Sequence, residues 1–412
     1  MTTDSPAAPR VSTWRIPIVL VLLGCAISVL TFGPRSAMGL FLTPLSQAHG
    51  WGRDVFALAL AIQNLLWGAG LPFTGAIADK YGAPRVLSAG AVLYALGLYL
   101  TATASTSGVL YLSAGGLIGL GLSGCAVPTV IGALGKLLPD SWRTAAFGAV
   151  TAAGSFGQFL FSPLAVHFTD AYGWQNTLVI FSCLLLFVIP ISMLLFAPRK
   201  TGASAAAPSQ SLTQALAEAF GHRSYVLLVL GFFTCGFQLA FVTVHLPSYL
   251  VDRGLSAEVG GWTLAIIGLF NIVGSLGSGA LAAFLPKRYI LSFIYFARAL
   301  SIVAFITMPA STGATLLFGA VTGLLWLSTV PPTSGLVALM FGTRWLTMLF
   351  GFAFFSHQVG GFLGVWLGGI VFERTGSYDA IWWLSVLFGV LSAIINLPIV
   401  EKPVQRLASA AA

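Results

Sequence analysis

Two arginines stand inside long apolar runs of this sequence, where a charged side chain is costly. Arg35 belongs to Phe32-Gly33-Pro34-Arg35-Ser36 near the end of the first apolar run, and Arg298 lies midway along a later one. An arginine in a membrane-spanning segment costs about 2.5–3.5 kcal/mol on insertion scales and marks a substrate or ion pathway by default. A guanidinium also presents a fixed bidentate fork to a carboxylate. We therefore expect Arg35 to be the group that meets the substrate.

Each arginine also has a structural interpretation. Arg35 could extend to the headgroups, because it lies roughly 30 Å from the start of the first predicted helix at a rise of about 1.5 Å per residue. Arg298 could bond the carbonyls of neighbouring helices, or it could take part in binding or gating. The 11 acids all fall near or beyond the ends of the apolar runs, so no carboxylate at bilayer depth can pair with either arginine. A cationic site without a compensating acid favours an anionic substrate.

Other polar side chains at bilayer depth could complete a binding site. Histidine is the one remaining side chain that titrates near neutral pH, so proton coupling would run through His357 or His245. Each could instead be a neutral histidine bonded to a backbone carbonyl. Buried amides and a tyrosine could line a cavity or join helices. The candidate substrate-binding residues are Arg35, Asn64, Gln158, Gln238, Tyr249, Asn271, Arg298, His357 and Gln358.

The composition indicates an integral membrane protein. Of 412 residues 57% are hydrophobic and only 7% are charged, whereas a soluble domain carries about 25% charged residues. The 4 cysteines stand singly, without CxxC spacing, which favours packing over metal or redox chemistry. The sequence has no GxxxxGK[ST] phosphate loop and no nucleophile–base pair at catalytic spacing. We therefore expect no ATP-driven step, no enzymatic activity, no metal and no cofactor.

Apolar runs of about 20 residues, the length that crosses a bilayer, predict twelve transmembrane helices and an all-α fold. They run near 16–46, 54–78, 86–104, 107–137, 144–169, 174–197, 224–250, 258–284, 289–308, 313–340, 345–371 and 378–399. The long polar interval between the sixth and seventh helices divides them into two bundles. The predicted organisation is an N-terminal six-helix bundle at 1–197, a cytoplasmic linker loop at 198–223, a C-terminal six-helix bundle at 224–400 and a cytoplasmic tail at 401–412.

The placement of basic residues predicts the orientation. Fourteen lysines and arginines fall on the side of the two termini, whereas only Arg53, Arg253 and Arg374 fall on the other side. Cytoplasmic loops carry the excess of Lys and Arg, so both termini are expected in the cytoplasm. The expected location is a cell membrane, in particular a bacterial inner membrane, which the chain crosses many times. The net charge of +8 follows from this topology and calls for no nucleic-acid partner.

The two halves of the sequence are related to each other. Trp51 to Gly75 parallels Leu255 to Gly279 at an offset of 204, with Asp54 matching Glu258. Such a repeat predicts two pseudo-symmetric bundles that rock against each other around a binding site at the bilayer midplane. This organisation is typical of a secondary transporter, and we expect it to work as a monomer.

A short stretch after the second helix resembles the cytoplasmic signature of the major facilitator superfamily (MFS). It reads Gly75-Ala-Ile-Ala-Asp79-Lys80-Tyr-Gly82-Ala-Pro-Arg85. The resemblance implies the twelve-helix MFS fold and a gating role for Gly75, Asp79, Lys80, Gly82 and Arg85. Asp79 would pair with Lys80 or Arg85 and hold the cytoplasmic side shut in one state. An ordinary charged turn is the alternative, since acid–base pairs in loops are common and weak.

Three further stretches resemble the monocarboxylate transporter branch of that superfamily. Gly33-Pro34-Arg35-Ser36 stands where the branch has a Pro-Lys-Ser, and 128–136 and 143–148 are similar to its fourth and fifth helices. The resemblance implies a monocarboxylate substrate and proton coupling. The sequence departs from the branch at Asn271 and Ser275, where the branch has an aspartate and an arginine. Arg35 itself titrates too high to exchange protons.

These features together favour a secondary transporter of a small organic anion, in particular a monocarboxylate, with Arg35 as the carboxylate partner. Proton symport, anion exchange and uniport are all compatible with the sequence. An exporter of drug-like or amphipathic compounds is the alternative with the same architecture, and in it Arg35 and Arg298 would be structural. The expected partners are the substrate, the lipid bilayer and, under symport, protons.

Overall fold

The computed structural model describes residues 17–195, 211–342 and 345–404. In these ranges the chain forms long helices joined by short turns. Eleven helical segments are long and apolar enough to cross a membrane. One of them, Ala146–Leu194, contains Gly173 at φ 81°, where the chain leaves the helical conformation. It therefore forms two helices, and the prediction of twelve is confirmed. Parts of the predicted linker and tail lie outside the described residues, so the limits of the two halves stay a prediction.

The twelve helices are numbered here in chain order. They are α1 Pro17–His49, α2 Arg53–Tyr81, α3 Ala83–Ala102, α4 Ser107–Gly135, α5 140–172, α6 174–194, α7 Arg223–Asp252, α8 Ala257–Phe284, α9 Lys287–Thr307, α10 Thr312–Phe341, α11 Leu346–Thr375 and α12 Asp379–Asn396. A short helix, Leu212–Gly221, precedes α7 and begins with a capping box between Ser211 and Gln214.

Several of the helices are interrupted near prolines, which lack a backbone donor and clash with the preceding turn. α1 leaves the α conformation after Ser36, two residues beyond Pro34, and passes through a 3₁₀ turn at Met38–Phe41. α4 is extended at Ala126, two residues before a proline. α10 is interrupted between Leu325 and Val330, next to two prolines. These breaks free backbone groups inside the bundle, which then need partners from neighbouring helices.

Two hydrophobic cores hold the molecule together. One is built almost wholly by α1–α6 and the other by α7–α12. Between these cores α2 packs against α11, α5 packs against α8, and the interrupted part of α1 packs against α7. Any site enclosed by these contacting helices receives residues from both cores, and its shape depends on how the two cores are tilted.

At one end of the bundle the two cores are in close contact. We call it the Arg53 end, because Arg53, Asp252 and Glu373 lie there. Gly39 on α1 meets α7 so closely that an added Cβ would overlap the carbonyl oxygen of Thr243. One turn further, Thr43 Oγ1 lies 2.9 Å from Ser248 Oγ. The Arg53 end is therefore closed.

At the opposite end, which carries Lys80 and Lys287 and is called the Lys80 end, the same helices diverge. α2 and α11 are antiparallel, with Gly68 against Gln358. The same register, followed seven residues along each helix towards the Lys80 end, places Gly75 opposite Gly351. A Cβ added to either of those glycines would meet nothing within 4 Å. The register of α5 and α8 likewise brings Gly148 level with Gly277, and both are again open. The two cores are therefore apart at the Lys80 end.

This asymmetry predicts which engineered cysteine pairs join. In a background without the native cysteines, Thr43→Cys with Ser248→Cys should form a disulfide readily, because those side chains already touch and a disulfide needs Cβ atoms about 3.5–4.5 Å apart. Gly75→Cys with Gly351→Cys is the matched control and should remain reduced. The measurement is a non-reducing gel after cleavage at a protease site placed within the predicted 198–223 linker. Faster joining of the control pair would contradict the described tilt.

Candidate functional site

Arg35 lies between the two cores and points at α2. Its Nη2 donates to Asn64 Oδ1 at 2.6 Å, and its guanidinium carbon lies 4.5 Å from the ring centre of Trp67 and 5.8 Å from that of Phe32. Asn64 is eleven residues along α2 from Arg53, or roughly 16 Å at about 1.5 Å per residue. That is about half of a 30 Å hydrocarbon core. Arg35 is thus held near mid-depth and does not extend to the headgroups.

Residues of α11 pack against the part of α2 that Arg35 contacts. Because Gly68 has no side chain, α11 comes close enough that a Cβ there would lie 2.7 Å from Gln358 Cβ. The ring of Trp67 meets that of Phe354 edge-on at 5.5 Å, and Phe354 is stacked on His357 at 5.5 Å. Together Arg35, Asn64, Trp67, His357 and Gln358 form what we call the Arg35 cluster, contributed by α1, α2 and α11.

The Arg35 cluster has more hydrogen-bond donors than acceptors. Arg35 Nε, Trp67 Nε1 and Gln358 Nε2 are all buried nitrogen donors without an acceptor among the described residues. The remaining Gln358 contact joins its Oε1 to His357 Nδ1 at 3.3 Å. Since an amide oxygen only accepts, His357 is the donor in that bond. An unmet buried donor costs about 1–3 kcal/mol, so the cluster is complementary to a ligand that brings acceptors.

Arg298 and Gln238, also predicted from sequence, are used differently. Arg298 donates to the carbonyls of Leu325 and Trp326, from Nη2 at 2.5 Å in both cases, and to Gln238 Oε1 at 3.4 Å. Those carbonyls are freed where α10 is interrupted. Gln238 in turn donates to Ser385 O at 2.9 Å. The two side chains therefore join α7, α9, α10 and α12, and none of their hydrogen bonds reaches the Arg35 cluster.

Asn271 and Gln158 join the two cores. Asn271 donates to Ser155 Oγ on α5 at 2.8 Å, while its Oδ1 accepts from the Leu327 amide at 2.9 Å. Gln158 on α5 donates to Leu264 O on α8 at 3.1 Å. Ser155 was not singled out from the sequence, since a serine in an apolar run gives no signal by itself. Asn271 thus connects the α5–α8 contact with the interruption of α10.

His245 and Tyr249 lie nearer the Arg53 end. His245 Nε2 lies 2.8 Å from Val365 O, and because a carbonyl only accepts, this nitrogen carries the proton. His245 Nδ1 is then the acceptor for Tyr378 Oη at 3.2 Å. Burial raises the pKa of Tyr378, which lies between α11 and α12, to about 12, so its hydroxyl can donate at neutral pH. Tyr249 packs edge-on against Trp382 with ring centres 5.4 Å apart.

An ion pair that the sequence did not predict closes the Arg53 end. Arg53 binds both carboxylate oxygens of Asp252, at 2.6 and 2.7 Å, and its backbone amide donates to Glu373 at 2.6 Å. The guanidinium also donates to Tyr378 Oη at 3.2 Å. We call these four residues the Arg53 latch. Sequence analysis treated Arg53, Asp252 and Glu373 only as charges near helix ends and did not consider Tyr378.

The latch predicted from sequence is at the Lys80 end, and the side chain of Asp79 lies outside the described residues. Lys80 lies over the ring of Tyr81, 5.2 Å from its centre, and Arg85 donates to Tyr81 O at 3.3 Å. Gly82 has φ 97°, which explains a glycine where α2 turns into α3. The predicted gating role of this stretch, Gly75 included, stays a prediction.

The bonds of Arg298 lead to a stability prediction. Arg298→Ala leaves two carbonyls of α10 without donors, and hydrogen bonds to charged groups contribute about 1.5–3 kcal/mol each. We expect a lower midpoint of thermal unfolding in detergent. Arg374→Ala is the matched control, since Arg374 is exposed at the end of α11. Equal midpoints for the two variants would show that Arg298 does not hold the α10 interruption.

Comparison with known proteins agrees with this architecture. The family model described as Major Facilitator Superfamily matches residues 24–364. YcxA of Bacillus subtilis (strain 168), an uncharacterised MFS-type transporter, is 27% identical over 388 residues, covering 89% of this chain and 91% of that protein. Monocarboxylate transporter 11 of Homo sapiens is 27% identical over 405 residues, covering 93% of this chain and 82% of that protein.

Solved structures share the fold at low sequence identity. A bacterial homologue of the human lysosomal transporter Spinster, inward-facing, gives a TM-score of 0.74 at 14% identity, over 93% of this chain and 97% of that one. The D-xylose–proton symporter gives 0.70 at 15% identity, over 94% and 99%. The matching family and these relatives are transporters and not enzymes, as the sequence predicted. The chain is a multi-pass membrane protein and belongs to the major facilitator superfamily.

Proposed function

We propose that this protein moves a small organic anion, preferentially a monocarboxylate, across a cell membrane by alternating access. The observation that carries the proposal is the surplus of donors in the Arg35 cluster. Three buried nitrogen donors there lack an acceptor among the described residues, and one of them belongs to a guanidinium. A carboxylate supplies two oxygens and a negative charge, which is the complement of this arrangement.

The charge balance supports an anion over a neutral or cationic substrate. Arg35 has no carboxylate partner among the described residues, and a buried charge without a partner is strongly unfavourable. A bound anion would neutralise it, whereas a cation would add repulsion. The monocarboxylate transporters among the relatives agree with this choice.

The tilt of the two cores supports alternating access. The Arg35 cluster lies between a closed Arg53 end and an open Lys80 end, and both cores contribute to it. Rocking of 1–197 against 224–400 would break the Arg53 latch and bring Gly75 and Gly351 together. With the excess of basic residues in the cytoplasm, the Lys80 end and both termini are cytoplasmic. The structure then corresponds to the state open to the cytoplasm.

Coupling to protons, if present, would run through His357. It is the histidine of the Arg35 cluster, and its Nδ1 is bonded to Gln358. His245 is the second candidate, but both of its ring nitrogens are already occupied by Val365 and Tyr378. Asn271 stands where the monocarboxylate transporter branch has an aspartate, and it is bonded to Ser155 and to the Leu327 amide. The proposal is compatible with symport, exchange and uniport.

Uptake into proteoliposomes tests the substrate class. Labelled pyruvate or lactate should be taken up saturably by the wild-type protein, and Arg35→Gln should abolish this uptake, because the neutral amide removes the charge that holds the carboxylate. Arg35→Lys keeps the charge but loses the fork, so we expect partial activity with a raised KM.

The same experiment has a matched control and a clear contradiction. Arg374→Gln removes an exposed arginine at the end of α11 and should leave uptake unchanged. A folded wild-type protein that takes up no short carboxylate, even in counterflow, would contradict the proposal and favour an exporter of amphipathic compounds.

Opening of the Arg53 end provides a second prediction. Asp252→Asn weakens the paired contact with Arg53, and every 1.4 kcal/mol lost from the closed state multiplies the open population about tenfold. We expect a several-fold rise in the labelling rate of Ser248→Cys by a membrane-impermeant maleimide. Glu258→Gln, which changes an exposed acid at the start of α8, is the control. An unchanged rate in Asp252→Asn would rule out the Arg53 latch as the closing device.

A further inference from the structure

The Arg35 cluster contains two neutral donors beside its charged one. We propose that Trp67 Nε1 and Gln358 Nε2 form a second, neutral subsite that bonds an oxygen of the substrate other than the carboxylate held by Arg35. These two residues would then decide which carboxylates the protein moves. The inference rests on the proposed function, because it assumes that Arg35 holds the carboxylate.

The spacing along α2 sets how far apart the two subsites lie. Asn64 accepts from Arg35, and Gln358 is pressed against Gly68, one helical turn further along. Four residues of α-helix rise roughly 6 Å. Trp67 lies between these levels, with its ring face towards Arg35 and its ring plane at 75° to that of Phe354. Each donor reaches about 3 Å to the oxygen that it bonds, so donors one helical turn apart can hold a carboxylate and an oxygen on the next carbon, or one carbon beyond.

The Gln358 donor is held in one orientation. The side chain is 1% exposed and lies against Gly68, which limits its rotamers. Its Oε1 accepts from His357 Nδ1, so the nitrogen of the same amide faces away from that bond. His357 is itself stacked on Phe354 with ring planes 7° apart. His357 is therefore a positioning residue for Gln358 in this proposal.

The chemistry of the two donors selects the kind of second oxygen. An indole N–H and an amide N–H are neutral, and Arg35 is the cation of the cluster. A keto or hydroxyl oxygen can accept from them without adding charge, whereas a second carboxylate would require a second cation. A substrate without that oxygen leaves both donors unpaired, and sites built around hydrogen bonds reject such analogues strongly.

Competition between two acids of equal chain length tests the subsite. Pyruvate and propionate differ by one keto oxygen, and unlabelled acid competing against labelled pyruvate uptake avoids the permeation of propionic acid through lipid. For the wild-type protein we expect the inhibition constant of pyruvate to be at least about tenfold lower than that of propionate. The variants are Trp67→Phe, which keeps an aromatic face for Arg35, and Gln358→Leu. Trp383→Phe, at a tryptophan that is 53% exposed, is the control.

The ratio of the two constants distinguishes a donor role from a structural one. The ratio is the inhibition constant of propionate divided by that of pyruvate. The proposal expects either variant to reduce this ratio at least about fivefold, mainly by raising the inhibition constant of pyruvate, while that of propionate changes less than about twofold. Parallel weakening of both acids, or a wild-type ratio near one, would overturn it. His357→Ala should reduce the ratio as Gln358→Leu does. The two proposals fail in different ways. Unimpaired pyruvate uptake by Arg35→Gln would contradict the proposed function, whereas loss of uptake in Arg35→Gln together with an unchanged ratio in Trp67→Phe and Gln358→Leu would contradict only the second subsite.

Discussion

A guanidinium near mid-depth needs acceptors, because an unpaired charge in hydrocarbon is strongly unfavourable. Around Arg35 the described residues meet this need only in part, through the amide oxygen of Asn64 and the aromatic faces of Trp67 and Phe32. The surrounding helices thus preserve a positive centre between the two cores. In the proposed transporter, the rest of the fold determines from which end of the bundle a substrate reaches that centre.

Glycine positions explain how two rigid cores can be close at one end and apart at the other. Gly39 and Gly68 allow backbones or side chains of the opposite core to approach within van der Waals distance, whereas Gly75 and Gly351 face open space. At glycines the two helices can pack closely, and they can also separate at little cost, because no interdigitated side-chain contacts are lost when they separate. Charged contacts such as Arg53 with Asp252 can then bias the tilt of the cores.

Arg35 and Arg298 show how neighbours assign a role to the same residue type. Both lie in apolar helices without an acid at bilayer depth, and the sequence makes both of them candidates for a binding site. Arg298 Nε and Nη2 donate to carbonyls that the interruption of α10 leaves free. Arg35 retains a donor without an acceptor. The difference arises from the helices packed around each residue, which lie far away in the chain.

The sequence alone determined the membrane location, the twelve helices and the superfamily, because apolar length, charge placement and the repeat are local or additive properties of the chain. It also identified Arg35, Asn64, His357 and Gln358 as candidates. Only the tertiary structure brought those four together with Trp67, bonded Arg298 and Asn271 to the interruption of α10, and joined Arg53 to Asp252 and Glu373. Such groupings depend on the register between helices distant in sequence, and no local pattern encodes which face of one helix meets another.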